Sequence, residues 1–217
     1  MKDNMPQVAR FWNDIAHDFD AIYTGKKGPV GRMLDRWLRK DIYQRFDWVM
    51  RKLGDPHGKS IIDIGCGSGR FVTTFAKKGA ARVTGVDVAP EMLSLSQKLV
   101  TADGVANVCN FHLADVLHWK TDEKFDISIA IGLWDYIADP PERLRIIRGF
   151  TGEKFLSAWP RFWTWRMPIR KVRLTLEGCP VYFFRKPQVY KMLQDAGFQV
   201  VSCDTVGKLY CVEARPV

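Results

Sequence analysis

The sequence predicts an α/β fold with a doubly wound, mostly parallel sheet, and three observations support this prediction. From residue 60 onward, short apolar runs bounded by turn residues alternate with stretches of helical periodicity, as expected for parallel strands joined by crossover helices. A glycine-rich turn at 65–69 follows the first apolar run and opens the first of these helices. The chain has 217 residues, of which 47% are apolar and 26% are charged, so one domain with a full core is expected.

The N-terminal region 1–58 is predicted to form a helical lid. A short helix carries Phe11 and Trp12, and a Gly- and Pro-containing breaker at 25–29 follows it. Apolar residues then recur every three or four positions over 30–53, which predicts a second, amphipathic helix. The opposite face of this helix is rich in arginine, including Arg45.

The region 59–217 is predicted to be the α/β domain. Its apolar runs predict strands at 60–64, 82–86, 107–113, 125–131, 154–159, 198–203 and 208–213. Its helical stretches lie at 69–78, 90–102, 140–149 and 187–196. An insertion rich in arginine and tryptophan interrupts the alternation at about 160–180.

The charge and the cysteine content of the chain indicate which classes of partner and which cellular compartment to expect. The net charge of +9 favours an anionic partner, which is a nucleic acid, a membrane surface or an acidic small molecule; the alternative is a basic solvated surface without such a partner. The five cysteines are scattered without a C-x-x-C pair, which predicts reduced thiols and no zinc site, disulfide framework or other metal centre. No apolar run reaches 18 residues and the N-terminus leads into no signal-peptide core, so we expect a cytoplasmic protein, with peripheral membrane contact as an option.

The glycine turn predicts a ligand at the carboxyl end of the sheet, facing the backbone N–H groups of the turn. A phosphate-binding loop of the G-x-x-x-x-G-K-[ST] type is excluded, because no Lys-Ser or Lys-Thr follows the glycines. A dinucleotide fingerprint needs a third glycine where this chain has Arg70. The remaining pattern is strand-Asp-x-Gly-x-Gly-x-Gly, in which Asp63 lies inside the end of the strand.

Five stretches together carry a family resemblance. They are Ile61-Ile-Asp-Ile-Gly-Cys-Gly-Ser-Gly-Arg-Phe71, Val83-Thr-Gly-Val-Asp87, Phe111-His-Leu-Ala-Asp115, Phe125-Asp-Ile-Ser-Ile-Ala-Ile131 and Leu193-Gln-Asp-Ala-Gly-Phe198. In this order and spacing the chain resembles the class I S-adenosylmethionine-dependent methyltransferases over roughly 60–159 and 181–217. The resemblance implies a Rossmann-like sheet, mostly parallel with an antiparallel C-terminal strand, and S-adenosylmethionine as cofactor with S-adenosylhomocysteine as product.

The resemblance also implies where the parts of the cofactor lie. Asp87 is matched to the ribose diol, and its offset of about 20 residues from the glycines agrees with that role. Asp115 is matched to the adenine amino group, and Asp63 faces the methionine end. The full set of implied cofactor contacts is Asp63, Gly65, Cys66, Gly67, Asp87, Val88, Met92, Asp115, Val116, Ile131 and Gly132. Within it, Cys66 is interpreted as a small loop residue and not a nucleophile, and Met92 as either helix core or cofactor contact.

The acceptor side is predicted from aromatic and acidic residues near the expected site. The predicted catalytic residues are Tyr23, Asp135 and Tyr136, and the predicted substrate-binding residues are Trp12, Trp134, Trp163 and Arg166. Tyr23 weakly resembles a tyrosine of the magnesium-protoporphyrin methyltransferase subgroup, but that subgroup's histidine after the fourth strand has no counterpart here. The Trp/Arg-rich insertion suits a planar anionic acceptor, a lipid interface or stacked bases, and the alternative is an aromatic flap packed on the core with its arginines in water.

Three functions therefore remain open. The first is methyl transfer by direct displacement to the oxygen or nitrogen of a small apolar or anionic acceptor. The second is an RNA methyltransferase that uses the basic helix and the insertion, although no RNA-binding module is recognisable. The third is a cofactor-binding protein without catalysis.

The stretch Asp139-Pro-Pro-Glu142 is similar to the Asp-Pro-Pro-aromatic motif of nucleic-acid amino methylases, but Glu142 replaces the aromatic ring, so we interpret it as a helix start.

Overall fold

The computed structural model describes residues 5–24, 40–162 and 179–217, with side-chain detail for all of these except 18–24 and 40–41. The helices in this part are α1 (Met5–Thr24), α2 (Lys40–Leu53), α3 (Arg70–Lys77), α4 (Pro90–Ala102), α5 (Pro140–Phe150) and α6 (Lys186–Asp195). The strands are β1 (Ser60–Ile64), β2 (Arg82–Asp87), β3 (Cys109–Leu113), β4 (Phe125–Ile131), β5 (Thr151–Pro160), β6 (Phe198–Val206) and β7 (Leu209–Pro216). The breaker at 25–29, the first part of the helix predicted over 30–53 and most of the insertion lie outside the described residues.

The described strands form one seven-stranded sheet in the order β3-β2-β1-β4-β5-β7-β6. Strands β1 to β5 pair in parallel, and β7 is antiparallel to its neighbours β5 and β6. The predicted mostly parallel sheet with an antiparallel C-terminal strand is thereby confirmed. The chain order reverses between β1 and β4, and ligands of such sheets bind at the carboxyl ends of the strands beside that reversal.

Both faces of the sheet are covered, which explains why its central strands are nearly continuous apolar runs. Ile61 and Ile62 of β1 are both fully buried but belong to opposite faces, because successive side chains of a strand alternate. On the Ile61 side, α2 and α3 contribute Trp48 and Phe75 to the core. On the Ile62 side, α5 contributes Leu144.

Helix α1 lies over the start of α4, close to the carboxyl end of β2. Ala16 of α1 is fully buried together with Ala89 and Met92. The Oδ1 of Asn13 accepts the N–H of Glu91 at 3.1 Å. The N-cap residue of α4, Ala89, makes no side-chain cap of its own, so Asn13 satisfies one of the N–H groups that a helix start leaves unpaired. Sequence reasoning missed this cap.

Helix α2 is fixed to the antiparallel edge of the sheet. The Nε1 of Trp48 donates to Oδ2 of Asp204 at 2.8 Å. The Nζ of Lys154 donates to the carbonyl oxygen of Lys52, in the last turn of α2, at 2.6 Å. The Nζ of Lys52 lies 3.3 Å from Oε2 of Glu213 in β7. Helix α2 therefore packs on the α/β sheet, although the sequence assigns it to the N-terminal lid. The domain boundary at residue 58 stays a prediction.

Two details of the helices bear on function. Helix α5 begins at Pro140 with Asp139 in the N-cap position, so the Asp-Pro-Pro-Glu stretch starts a helix as predicted, although the Asp139 side chain makes no cap hydrogen bond. Within the described ranges, no helix is both long and apolar enough to cross a membrane.

Candidate active site

The turn after β1 is built from glycines in left-handed backbone geometry. Gly65, Gly67 and Gly69 have φ angles of 75°, 54° and 74°, a region that residues with a Cβ rarely adopt. The N–H of Gly65 donates to the carbonyl of Val86 at 2.7 Å, and the N–H of Gly67 donates to Oδ2 of Asp87 at 2.8 Å. These bonds fold the turn back onto the end of β2, so the carboxyl ends of β1 and β2 form one edge.

The direction of these N–H groups corrects the expectation that the turn presents them to a ligand. The N–H of Cys66 also donates to Val86 at 3.2 Å, and the N–H of Gly69 donates to the Cys66 carbonyl at 3.0 Å. An anion site at a helix start needs such donors free. These four N–H groups are therefore engaged within the protein, and at Gly65 to Gly67 the turn presents backbone surface to a ligand instead. Ser96 of α4, which sequence reasoning missed, braces the turn by donating to the Gly67 carbonyl at 2.7 Å.

Asp87 ends β2 and links the turn to the start of α4. Its Oδ2 accepts the N–H of Gly67, and its Oδ1 accepts the N–H of Ala89 at 2.9 Å. Burial raises the pKa of Asp87, and these two N–H groups oppose the rise. A carboxylate has about four acceptor positions, so the two backbone bonds leave capacity for a diol.

Asp63 is the buried carboxyl group near the end of β1. It is 1% exposed, and its Oδ2 has no hydrogen-bond partner among the described residues. Burial raises the pKa of Asp63 to about 8, the charge of Asp87 adds to the rise, and the guanidinium of Arg45 opposes it. A buried carboxyl oxygen without a donor is costly unless a ligand supplies one, and an ammonium group fits this need.

Arg45 of α2 is a site residue that sequence reasoning missed. Its Nη1 lies 3.2 Å from where a Cβ at residue 132 would stand, and Gly132 has a φ of 89° directly after β4. The guanidinium is therefore placed at the carboxyl end of β4, and Arg45 is half-buried whereas Arg51 of the same helix is exposed. Arg45 and Asp63 together offer one positive and one negative group, which matches the carboxylate and the ammonium of an amino acid.

Asp115 follows β3 and is held by Arg143 of α5. Nη2 of Arg143 lies 2.7 Å from Oδ2 of Asp115, and Nε lies 3.3 Å from Oδ1. The N–H of Leu117 donates to Oδ1 at 3.0 Å. Val116, which is 3% exposed, packs in the same core as the strand ends. Sequence reasoning singled out Asp115 and Val116 but missed Arg143.

The remaining predicted cofactor residues surround the turn. Cys66 is buried, and burial raises the pKa of its thiol well above the usual value, which agrees with a small loop residue and not a nucleophile. Met92 is 1% exposed and packs against α1, and Ile131 is buried at the end of β4. Val88 is half-buried beside Asp87. Their contact with a cofactor stays a prediction.

Aromatic side chains gather after β4 and β5, on the acceptor side predicted from the sequence. Trp134 is fully buried and stacks on Trp159 with ring centroids 4.3 Å apart and an interplanar angle of 5°. Phe184 meets Trp159 edge to face at 5.1 Å. Trp12 of α1 meets Tyr136 edge to face at 5.5 Å, so α1 reaches the segment after β4.

The structure describes only some of the residues predicted to act on the acceptor. Asp135 is 4% exposed, and its backbone carbonyl accepts the N–H of Tyr182 at 2.8 Å. Tyr23 belongs to α1, but its side chain is not described, and Trp163 and Arg166 lie outside the described residues. In the described part of the chain, no cluster of three or more His, Cys, Asp or Glu residues is placed to hold a metal ion.

The fold and the site define the class of protein. A seven-stranded sheet with β7 antiparallel, a glycine turn after β1, and carboxylates at the ends of β1, β2 and β3 are the features of a class I S-adenosylmethionine-dependent methyltransferase. The residues present fit that cofactor, because a buried Asp63 oxygen lacks a partner among the described residues, and the Arg45 guanidinium lies close enough to oppose the rise in the pKa of Asp63. A family model described as a methyltransferase domain matches residues 55–204, and the chain belongs to this family.

Comparisons with individual proteins agree with the class. The chain is 32% identical over 103 residues to a ubiquinone biosynthesis O-methyltransferase of Aeromonas salmonicida, covering 48% of this chain and 43% of that protein. It is 31% identical over 131 residues to human EEF1A lysine methyltransferase 2, covering 57% and 54%. The chain thus matches about half the length of these relatives. The crystal structure of magnesium protoporphyrin IX methyltransferase from Synechocystis PCC 6803 with bound S-adenosylmethionine shares the fold, with a TM-score of 0.79 at 19% identity over 100% of this chain and 99% of that one.

Proposed function

We propose that the protein transfers a methyl group from S-adenosylmethionine to the oxygen or nitrogen of a small apolar or anionic acceptor by direct displacement. The observation that carries this proposal is the contact between Trp12 and Tyr136. It joins α1, which lies over the start of α4 beside Asp87, to the aromatic segment after β4. An apolar surface therefore adjoins the edge that holds the carboxylates.

Each part of the cofactor has a candidate partner on this edge. Asp63 binds the ammonium and Arg45 the carboxylate of the methionine part, because their charges are opposite and both lie at the ends of β1 and β4. Asp87 binds the ribose diol through its remaining acceptor positions, and Asp115 binds the adenine amino group. When bound, S-adenosylmethionine supplies an electrophilic methyl group on a sulfonium.

The contribution of the chain to the reaction is alignment and the exclusion of water, because direct displacement needs few reacting side chains. The aromatic rings of Trp12 and Tyr136 provide the apolar wall for the acceptor, whereas Trp134, predicted to bind substrate, is fully buried against Trp159 and belongs to the core of this segment. A base is needed only where the acceptor still holds its proton. Asp135, which is buried beside this wall, is the candidate base together with Tyr23.

Recognition of an anionic group falls to Arg166 and Trp163 of the insertion, and the net charge of +9 favours the same chemistry or peripheral contact with an anionic membrane. The relatives support a small acceptor in part. One is named as an O-methyltransferase of ubiquinone biosynthesis and the structural neighbour as a protoporphyrin methyltransferase, while another is named as a protein lysine methyltransferase. The positive charge keeps RNA as the alternative acceptor.

Label transfer from methyl-labelled S-adenosylmethionine tests the proposal. The purified chain is incubated with separate metabolite, lipid, RNA and protein fractions, and Asp63→Asn serves as the control with an impaired cofactor site. We expect the wild type to label the metabolite or lipid fraction and Asp63→Asn to label neither. Label confined to RNA or to protein contradicts the small-acceptor proposal, and tight cofactor binding without any label supports a binding protein without catalysis.

A further inference from the structure

Arg143 of α5 is a buried arginine whose guanidinium is directed at Asp115. The side chains of Arg143 and Asp115 are 7% and 9% exposed, and the two groups meet through Nη2 at 2.7 Å and Nε at 3.3 Å. Exposed ion pairs contribute little to stability, but this pair is shielded from water. A two-point contact also sets the plane of the carboxylate, which a single ammonium group does not do.

The donors around Asp115 leave it little spare capacity. A carboxylate has about four acceptor positions. Arg143 fills one on each oxygen, and the N–H of Leu117 fills a second one on Oδ1 at 3.0 Å. Among the described residues these are the donors that reach the Asp115 carboxylate, so one position remains, on Oδ2. That position accepts a single N–H, and it repels an oxygen atom placed in the same direction.

We infer that Arg143 is a positioning residue, which orients Asp115 so that the site selects a 6-amino purine over a 6-oxo purine. The inference rests on the proposed placement of the cofactor's adenine at Asp115. Arg143 acts through the carboxylate: its two-point contact occupies one acceptor position on each Asp115 oxygen and so fixes the plane in which the remaining Oδ2 position is offered. Without the fork, the carboxylate rotates between the Leu117 N–H and other orientations, and the preference for one N–H is lost.

The test compares two ligands that differ at the purine 6-position alone. S-Adenosylhomocysteine carries an amino group there, and S-inosylhomocysteine carries a carbonyl oxygen. Calorimetric dissociation constants for both are measured on the wild type. The wild type is expected to prefer S-adenosylhomocysteine by about ten- to a hundredfold, which is the range for gaining or losing one hydrogen bond to a charged group.

Three variants locate the cause of this preference. Arg143→Met keeps the volume and removes the fork, and it is expected to reduce the preference below about threefold. Arg143→Lys keeps a charge without the fork and is expected to give an intermediate ratio. Arg145→Met, at an exposed position of the same helix, is the matched control and keeps the wild-type ratio.

The ratio of the two constants is the readout, because a general loosening of the site weakens both ligands alike. A wild-type ratio in Arg143→Met overturns the inference. If that variant does not fold, a wild-type ratio in Arg143→Lys overturns it equally. If the wild type binds both ligands equally well, the placement of adenine at Asp115 is wrong, and the inference fails with it. If the wild type binds neither ligand, the proposed cofactor site itself is contradicted.

Discussion

Replacing Asp63 by asparagine is expected to stabilise the free protein while weakening cofactor binding. Asp63 is 1% exposed with an unpartnered Oδ2, and burial raises its pKa from 3.8 to about 8. A neutral amide of the same shape removes the buried acid that must lose its proton at high pH. It also removes the negative charge that an ammonium group needs.

The magnitude and sign follow from the two pKa values. Below about pH 4 the carboxyl group is protonated in both the folded and the unfolded chain, and it does not affect stability. Between about pH 4 and about pH 8 the unfolded chain releases this proton and the folded chain keeps it, so stability falls as the pH rises. At 1.36 kcal/mol per pKa unit, the loss at pH 7 is on the order of 4 kcal/mol.

The asparagine amide at this position is itself a buried polar group, so we expect a smaller net gain of about 1–3 kcal/mol near pH 8, or roughly 2–10 °C in Tm for a chain of this size. The loss of the ammonium contact is expected to weaken S-adenosylhomocysteine at least about tenfold. Thermal unfolding at about pH 5 and about pH 8, with and without ligand, measures both effects. Asp122→Asn, at an exposed position before β4, is the control. An Asp63→Asn variant that is less stable than the wild type near pH 8, or that binds ligand as well, refutes this reasoning.

Three further changes test other parts of the site, and the first concerns pH. The affinity of the wild type for S-adenosylhomocysteine is expected to rise from about pH 6 to about pH 8, by up to about tenfold per unit, as Asp63 ionises, and calorimetry of Asp63→Asn should show a flat profile. Arg45→Met is expected to weaken S-adenosylhomocysteine about tenfold and leave methylthioadenosine, which lacks the amino acid, unchanged, with the exposed Arg51→Met as control; equal losses for both ligands would count against a carboxylate contact. Gly67→Ala places a Cβ at a φ of 54° with open space around it, so unfolding experiments should show a loss of about 1–2 kcal/mol; an unchanged Tm contradicts the strain argument.

Most of the sheet could be predicted from the sequence because its signals are local. The apolar runs at 60–64 and 125–131 coincide with β1 and β4, and the helix over 90–102 coincides with α4. Parallel strands buried on both faces are nearly continuous apolar runs, so their limits are visible in the residues themselves. Asp63 and Asp87 could be singled out for the same reason, because each lies at or next to the end of such a run.

The residues that were missed depend on contacts between distant parts of the chain. Arg45 and Gly132 are separated by more than 80 residues, and Arg45 lies on the predicted arginine-rich face of its helix, so periodicity alone assigns it to a solvated surface. Arg143 contacts Asp115 although the two residues are 28 positions apart in the sequence, with strand β4 between them. The expectation that the N–H groups of the glycine turn face a ligand was wrong for Gly65, Cys66 and Gly67, because the carbonyl of Val86 and the carboxylate of Asp87 lie within reach of the turn only after β2 pairs with β1.

The most direct test of the account is a calorimetric titration of S-adenosylhomocysteine into the wild type and into Asp87→Ala. We expect one site per chain in the wild type and an affinity at least about tenfold lower in the variant, because the ribose loses a charged acceptor. The variant also leaves the N–H groups of Gly67 and Ala89 unpaired, so its fold is checked by its Tm in the same samples. A folded Asp87→Ala variant with unchanged affinity, or a wild type that binds no S-adenosylhomocysteine, contradicts the assignment of this edge as the cofactor site.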